Sequence, residues 1–255
     1  MTDSNIGKIF LSPFRVASDL MRALIKPADA GAPSPWCLEM TALALVIPFI
    51  IVVLHIWDAQ IVESAMGSEL LVLHWLRAST DLVRTSVWVA ICGTVWLSTT
   101  FLLAPNVRSL FSDRIIRLHA WATFVLLSIV VGGIPTELAK LVIGRARPLM
   151  LEELGSAYFS PFNGTNLFES FPSGHSLMAG ILLISIWIFL PRWKLLLVPL
   201  CLVFPISRVV AGVHYPTDVV AGLTIGILSA WWVARYMATR NIIFYLDKGM
   251  ALPRV

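Results

Sequence analysis

Charge is what this sequence has least of. Only 13% of its 255 residues are Asp, Glu, Lys or Arg, while 58% are hydrophobic and the mean hydropathy is +0.82. An ordinary soluble domain carries roughly 25% charged residues, so the composition points to a lipid bilayer rather than to water. Cysteine is also scarce. Cys37, Cys92 and Cys201 are odd in number, lie in or beside apolar runs and show no metal-ligand spacing, so they read as small buried hydrophobes. The first 36 residues lack a continuous apolar stretch and hold Asp3, Lys8, Arg15, Asp19, Arg22, Lys26 and Asp29, which argues against a cleavable signal peptide. Insertion is then expected to rely on the first true span. There is no internal repeat and no low-complexity tract. The net charge of +4 is modest, and the basic residues flank apolar runs instead of clustering, so no nucleic-acid partner is expected.

Long apolar runs are plentiful. A membrane core of ~30 Å needs about 20 apolar residues in a helix, and candidate runs fall near 38–57, 86–104, 118–139, 176–190, 195–211 and 218–237. Backbone polar groups must be satisfied inside lipid, which makes all six helical. The expectation is an all-α polytopic membrane protein, with six transmembrane helices in one bundle over residues 37–240. A cytoplasmic tail at 241–255 would follow it. Ahead of it, over 1–36, Ile6, Ile9, Phe10, Phe14, Ala17, Leu20, Met21, Leu24 and Ile25 recur at helical spacing, with Lys8, Arg15 and Arg22 on the other face. That pattern predicts an amphipathic helix on the inner leaflet, with packing against the bundle as the alternative.

Basic residues give the orientation. With the N-terminus inside, only Arg77, Arg84, Lys140, Arg145, Arg147 and Arg208 lie outside, and the other 13 of the 19 Lys and Arg lie inside, as the positive-inside rule requires. Both termini are then cytoplasmic. Residues 58–85 become a partly amphipathic outer stretch that could form a lid, and 149–171 a non-spanning outer loop rich in Gly, Asn, Pro and Phe.

Three of the six outer cations belong to short segments with their own chemistry. These are Lys140-(x6)-Arg147-Pro148, Pro172-Ser173-Gly174-His175, and Ser207-Arg208-(x5)-His214-(x3)-Asp218. The first follows the outer end of the third span and the second opens the fourth. Two crossings later the third segment returns to the same side, so topology alone gathers them. Lys140 and Arg147 are seven apart and would line one edge if the helix persists that far, with Pro148 ending it. Ser173 is a plausible N-cap, and Gly174 lets backbone approach a ligand. The free N–H groups of that helix start favour an anion. Asp218, in the first turn of the sixth span, can point back at His214, fixing its tautomer and leaving the other ring nitrogen as a nucleophile.

Other polar residues have plainer readings. His55, His74 and His119, near span ends, read as interfacial or packed side chains. Arg77, Arg84 and Arg145 read as headgroup contacts. Glu137, one turn before Lys140, can pair with Lys140 or Arg147 to hold them in place.

At these residues the chain resembles the type 2 phosphatidic acid phosphatase superfamily, which also includes vanadium haloperoxidases. Lys140, Arg147, Pro148, Pro172, Ser173, Gly174, His175, Ser207, Arg208, His214 and Asp218 meet every position of its three-part signature. Thr80-Asp81-Leu82 resembles a short segment seen in some bacterial lipid phosphatases of the family. The resemblance implies that Lys140, Arg147 and Arg208 hold phosphate oxygens, with Ser173 and the Gly174 N–H helping. It makes His214 the nucleophile that becomes a phosphohistidine, Asp218 its orienting group, and His175 the acid that later activates water. Phosphoryl transfer needs positioning and charge stabilisation above all. Three cations facing a phosphate of about −1.5 to −2 charges call for no metal and no cofactor.

The expected function is therefore an integral-membrane lipid phosphatase in a bacterial inner membrane, its site on the periplasmic face. Its partners would be the bilayer and a phosphorylated lipid: a lipid A phosphate by preference, or undecaprenyl pyrophosphate, phosphatidylglycerol phosphate or phosphatidic acid. A lipid phosphotransferase would keep the intermediate and change the acceptor. A non-enzymatic lipid transporter would explain the spans and cations but not the pairing of His214 with Asp218. The sequence fixes neither the lipid nor the oligomeric state.

Overall fold

The structure is a computed structural model that describes residues 16–28, 31–68, 84–103, 112–246 and 250–255. It is all-helical: among the described residues there is no strand, only the isolated bridges Arg145–Phe159 and Tyr245–Arg254. Residues 16–25 form α1. There follow α2 (Leu38–Leu54), α3 (Asp58–Met66), α4 (Thr85–Leu102), α5 (Ser112–Ile143), α6 (Gly174–Phe189), α7 (Lys194–Val210) and α8 (Pro216–Ala238).

Among the described residues, four helical stretches are long and apolar enough to cross a membrane: Leu38–Met66, Thr85–Leu102, Asp113–Ile143 and Pro216–Ala238. The first joins α2 and α3 through a 3-10 turn at His55–Trp57, so helix continues past the expected end of the span. α6 and α7 lie over the fourth and fifth apolar runs but have 16 and 17 residues, about 24–26 Å of helix, and α7 carries Pro199 and Pro205 within it. On α2, Leu45, Phe49 and Val52 are exposed and only Met40 is buried. A helix so apolar all round has lipid as its surroundings.

The centre of the bundle is the α6–α8 crossing. A Cβ on Gly222 would fall 2.2 Å from the Ser173 carbonyl oxygen, and one on Gly226 2.0 Å from that of Leu177. These two glycines, four apart on α8, let the backbones touch, the small-residue packing that drives helix association where water supplies no hydrophobic force. The crossing also joins the starts of both helices, because the Ser173 N–H donates to the Asp218 carbonyl at 3.0 Å. Phe124 on α5 and Met178 and Ile181 on α6 fill the core beside it, together with Ala230 and Met237 on α8.

The chain ends pack at the other pole. Leu24 of α1 is buried in the core cluster, and the Tyr236 hydroxyl donates to its carbonyl at 2.8 Å, while Met21 and Ile25 stay exposed. The described part of the predicted interfacial helix therefore docks one edge on the bundle; residues 1–15 lie outside the described residues. Ile242 and Phe244, in the predicted tail, are also buried. Arg235 donates to the carbonyls of Ser34, Pro35 and Ala251, tying both chain ends to α8.

Candidate active site

α5 does not carry Lys140 and Arg147 on one edge. It ends at Ile143, and Gly144 turns out of it at φ +60°, its N–H bonded to the Lys140 carbonyl. A Cβ on Gly144 would sit 2.0 Å from the Ser160 carbonyl oxygen, so glycine is required both by the left-handed backbone and by the crossing loop. Lys140 is left in the last helical turn and Arg147 in extended backbone (φ −75°, ψ 159°) ahead of Pro148. Lys140 Nζ donates to Glu137 Oε1 at 2.6 Å and lies 3.6 Å from where a Gly174 Cβ would be. The first two motifs therefore meet across that gap.

Arg147 bonds to carbonyls of two loops. Nε donates to the Asn166 carbonyl (2.6 Å), Nη1 to Val213 (3.2 Å) and Nη2 to Glu169 (3.3 Å). Burial pushes its pKa down, against the attraction of Asp218 and Glu169. Ser173 caps α6, its Oγ accepting from the Ser176 N–H at 3.4 Å, and Thr85 at the start of α4 donates to the Gly174 carbonyl at 3.3 Å. His175 follows, with Nε2 buried and without a hydrogen-bond partner among the described residues. Arg208, His214, Arg84 and Lys140 act on it electrostatically.

At the end of α7 the Arg208 carbonyl accepts from the N–H groups of both Val213 and His214, closing the turn that fixes their spacing. His214 is 3% exposed. Its Nδ1 lies 2.8 Å from the Ser170 carbonyl oxygen and 3.6 Å from Asp218 Oδ2. A carbonyl oxygen can only accept, so Nδ1 carries the proton and Nε2 the lone pair. Burial is the largest influence on this ring and lowers its pKa. Asp218 opposes that, and Arg147 and Arg208 add to it.

Asp218 holds more than the ring. Its Oδ2 accepts from Ser170 Oγ at 2.6 Å and from the Tyr215 N–H at 2.8 Å, and its Oδ1 from Arg145 Nη1 at 2.6 Å. Arg145, read from sequence as a headgroup contact, is instead 2% exposed. Its Nη1 also donates to Thr217 Oγ1 (2.7 Å), its Nη2 to Asp58 Oδ2 (2.8 Å) and the Ser156 carbonyl (2.9 Å), and its guanidinium lies 4.1 Å from the Tyr215 ring centroid. Asp58, fully buried, also accepts from the Thr217 N–H and hydroxyl, and His55 Nδ1 lies 3.0 Å from it.

All eight residues expected at the site thus converge on the α6–α8 end of the bundle, while Asp58, Arg145, Ser170 and Thr217 are additions. Asp58 had a signal, being a carboxylate at the end of an apolar run, where charge asks for a reason. Ser170 had none. His74, Arg77 and Thr80-Asp81-Leu82 lie outside the described residues. Among the described residues no three His, Cys, Asp or Glu side chains are grouped to hold a metal. What converges is a set of cations, a buried imidazole with one free nitrogen, and a second imidazole. Such a set can bind a phosphate, attack it and move a proton.

Residues 121–242, which contain all three motifs, match the family model of the PAP2 superfamily. Over that segment, just under half of the chain, the protein is similar to the PAP2 superfamily. It is 35% identical over 123 residues to a lipid A 1-phosphatase of Rhizobium johnstonii, covering 48% of this chain and 50% of that protein. It is 32% identical over 139 residues to an undecaprenyl-diphosphatase of Sulfolobus acidocaldarius, covering 52% and 58%. The chain spans about half the length of these curated relatives. The crystal structure of a PAP2-type phosphatidylglycerolphosphate phosphatase from Bacillus subtilis aligns with a TM-score of 0.45 at 21% identity, covering 77% of this chain and 94% of that one. Asp58 and Thr85 lie outside the matched segment, so that segment is braced by helices that precede it.

Proposed function

We propose that the protein is a membrane lipid phosphatase that works through a phosphohistidine on His214. The observation that carries this is the His214 ring itself, with Nδ1–H committed to the Ser170 carbonyl and Nε2 free beside Arg147 and Arg208. In the first step the Nε2 lone pair attacks phosphorus in line, the phosphorus–oxygen bond to the lipid breaks, and His175 gives its proton to the departing oxygen. Lys140, Arg147 and Arg208 offset the charge on the phosphoryl oxygens, with Ser173 and the Gly174 N–H at the helix start. In the second step His175 takes a proton from water, the water oxygen bonds to phosphorus, and the phosphorus–nitrogen bond breaks to free phosphate and the neutral His214 ring.

The membrane arrangement belongs to the same reading. On this reading α6 and α7 complete six crossings and the site faces the outside of a bacterial inner membrane with both termini inside, an orientation that the distribution of Lys and Arg supports. The substrate class is an amphiphile bearing a phosphomonoester or pyrophosphate, and the relatives' names favour a lipid A 1-phosphate or an undecaprenyl pyrophosphate. The test is phosphate release from a panel of these lipids in detergent by the purified full chain and by His214→Ala. Release should fall to background in the variant while its thermal unfolding stays that of a folded protein. Substantial release by the folded variant overturns the nucleophile, and phosphate recovered on lipid instead of in solution makes the protein a transferase.

A further inference from the structure

A second site lies at the opposite end of the bundle from the motifs. A cavity of about 590 Å³ opens between α4, α5, α6 and α7, walled by Trp88, Trp121, Leu182, Ile186 and Phe204 among other apolar side chains. Its volume is in the ~300–1,000 Å³ range of ligand pockets. Arg114 and Arg117 also line it, both exposed, three apart on one face of α5. Neither forms an ion pair among the described residues. Along α5 they stand 26 and 23 residues before Lys140, about 35–39 Å at 1.5 Å per residue, or just over one hydrocarbon thickness of ~30 Å. Deeper in the cavity Ser185 is 3% exposed, and its hydroxyl has no hydrogen-bond partner among the described residues.

We propose that this cavity is a binding site for an anionic phospholipid of the leaflet opposite the active site. The phosphate would rest on Arg114 and Arg117 and one acyl chain would run down the apolar wall past Trp88 and Trp121. The ligand follows from the match of parts. Two cations with no ion pair among the described residues stand at the membrane–water boundary, aromatic rings just below them, and an apolar channel continues into the hydrocarbon depth. The Ser185 hydroxyl is placed to meet an ester oxygen. A protein helix seated in the groove would satisfy the walls but would leave the two arginines without anions.

The test uses the purified full chain in detergent with palmitoyl-oleoyl phosphatidylglycerol, and phosphatidylcholine as the neutral control, counting retained lipid by native mass spectrometry. Wild type should retain the anionic lipid over the neutral one. Arg114→Gln with Arg117→Gln should cut that retention by on the order of fivefold per arginine. Leu182→Trp, which fills the cavity with the arginines intact, should lower it as well. Unchanged retention in the double variant overturns the proposal. A measurement on folded protein guards against misfolded variants: brominated phosphatidylglycerol should quench the wild type more than brominated phosphatidylcholine. That excess should vanish in Trp88→Phe with Trp121→Phe, and equal quenching by the two lipids also overturns the site.

Discussion

Arg145 and Arg147 stand two residues apart in one loop and are spent in opposite ways. Every guanidinium nitrogen of Arg145 is taken by the protein, and two of its partners are the buried carboxylates of Asp58 and Asp218. Arg147 is only partly buried, donates to three neutral backbone carbonyls and touches no carboxylate among the described residues. One positive charge is cancelled inside the framework and the other meets only carbonyl dipoles among the described residues. Two arginines of one loop are therefore not equivalent, and the difference lies in their partners.

The largest expected effect tests the framework arginine. Arg145→Ala leaves Asp58 and Asp218 buried without their cation, and breaking a buried pair on one side typically costs about 3–5 kcal/mol. Thermal unfolding in detergent should fall steeply, and Arg145→Lys should restore only part of it, since an ammonium cannot fork between two carboxylates. A variant that unfolds like wild type would break the contrast.

Arg147→Ala should do the reverse. On the proposed function it removes a preorganised donor to the phosphoryl oxygens, a loss of about 10²–10³-fold in kcat/KM, with a smaller loss of stability than Arg145→Ala. The check is kinetics and unfolding on the same preparations. Equal stability losses in the two variants would mean that Arg147 is also framework.

How much of this was legible in the sequence follows from the range of each interaction. The helices over 38–57, 86–104, 118–139 and 218–237 could be read because an apolar run is a local property. The motif residues could be read because a Lys, an Arg-Pro pair and a Pro-Ser-Gly-His turn carry their chemistry with them. The Lys140–Arg147 edge failed on a local sign given too little weight: Gly144 directly after Ile143 is a helix stop, and it precedes Pro148. Asp58, Arg145 and Ser170 were not legible as a group, because their bonds join residues 87, 73 and 48 positions apart. The Ser170 carbonyl is hardest of all, since every residue has one and only the fold selects it. Asp218, expected to hold the ring directly, sits at 3.6 Å and holds Ser170 as well.

A subtler consequence concerns pH. Burial lowers the pKa of His214 below the ordinary ~6.5 of an imidazole. Below that value the unfolded chain takes up a proton that the folded ring refuses, so its contribution to stability is intact above ~6.5 and is lost as pH falls towards the folded value. The same shift keeps the His214 ring neutral in mild acid. An NMR titration of His214 should find its midpoint below ~6.5, and Arg147→Gln should move it upward by removing a neighbouring cation while burial stays. A midpoint unmoved by Arg147→Gln would separate that guanidinium from the ring.

The smallest effect is expected where the framework touches a group it does not use. Tyr215 is fully buried under the Arg145 guanidinium, yet its hydroxyl has no hydrogen-bond partner among the described residues. Tyr215→Phe keeps the ring face that meets the cation and removes only an unsatisfied oxygen, a change that is neutral or stabilising by up to about 1 kcal/mol. Unfolding should shift little or slightly upward, and phosphate release should be unchanged. A clear loss of stability would mean that the hydroxyl has a partner, and a loss of turnover alone would place it in the path of the proton. Either result would move the boundary between framework and ligand face that Arg145 and Arg147 mark.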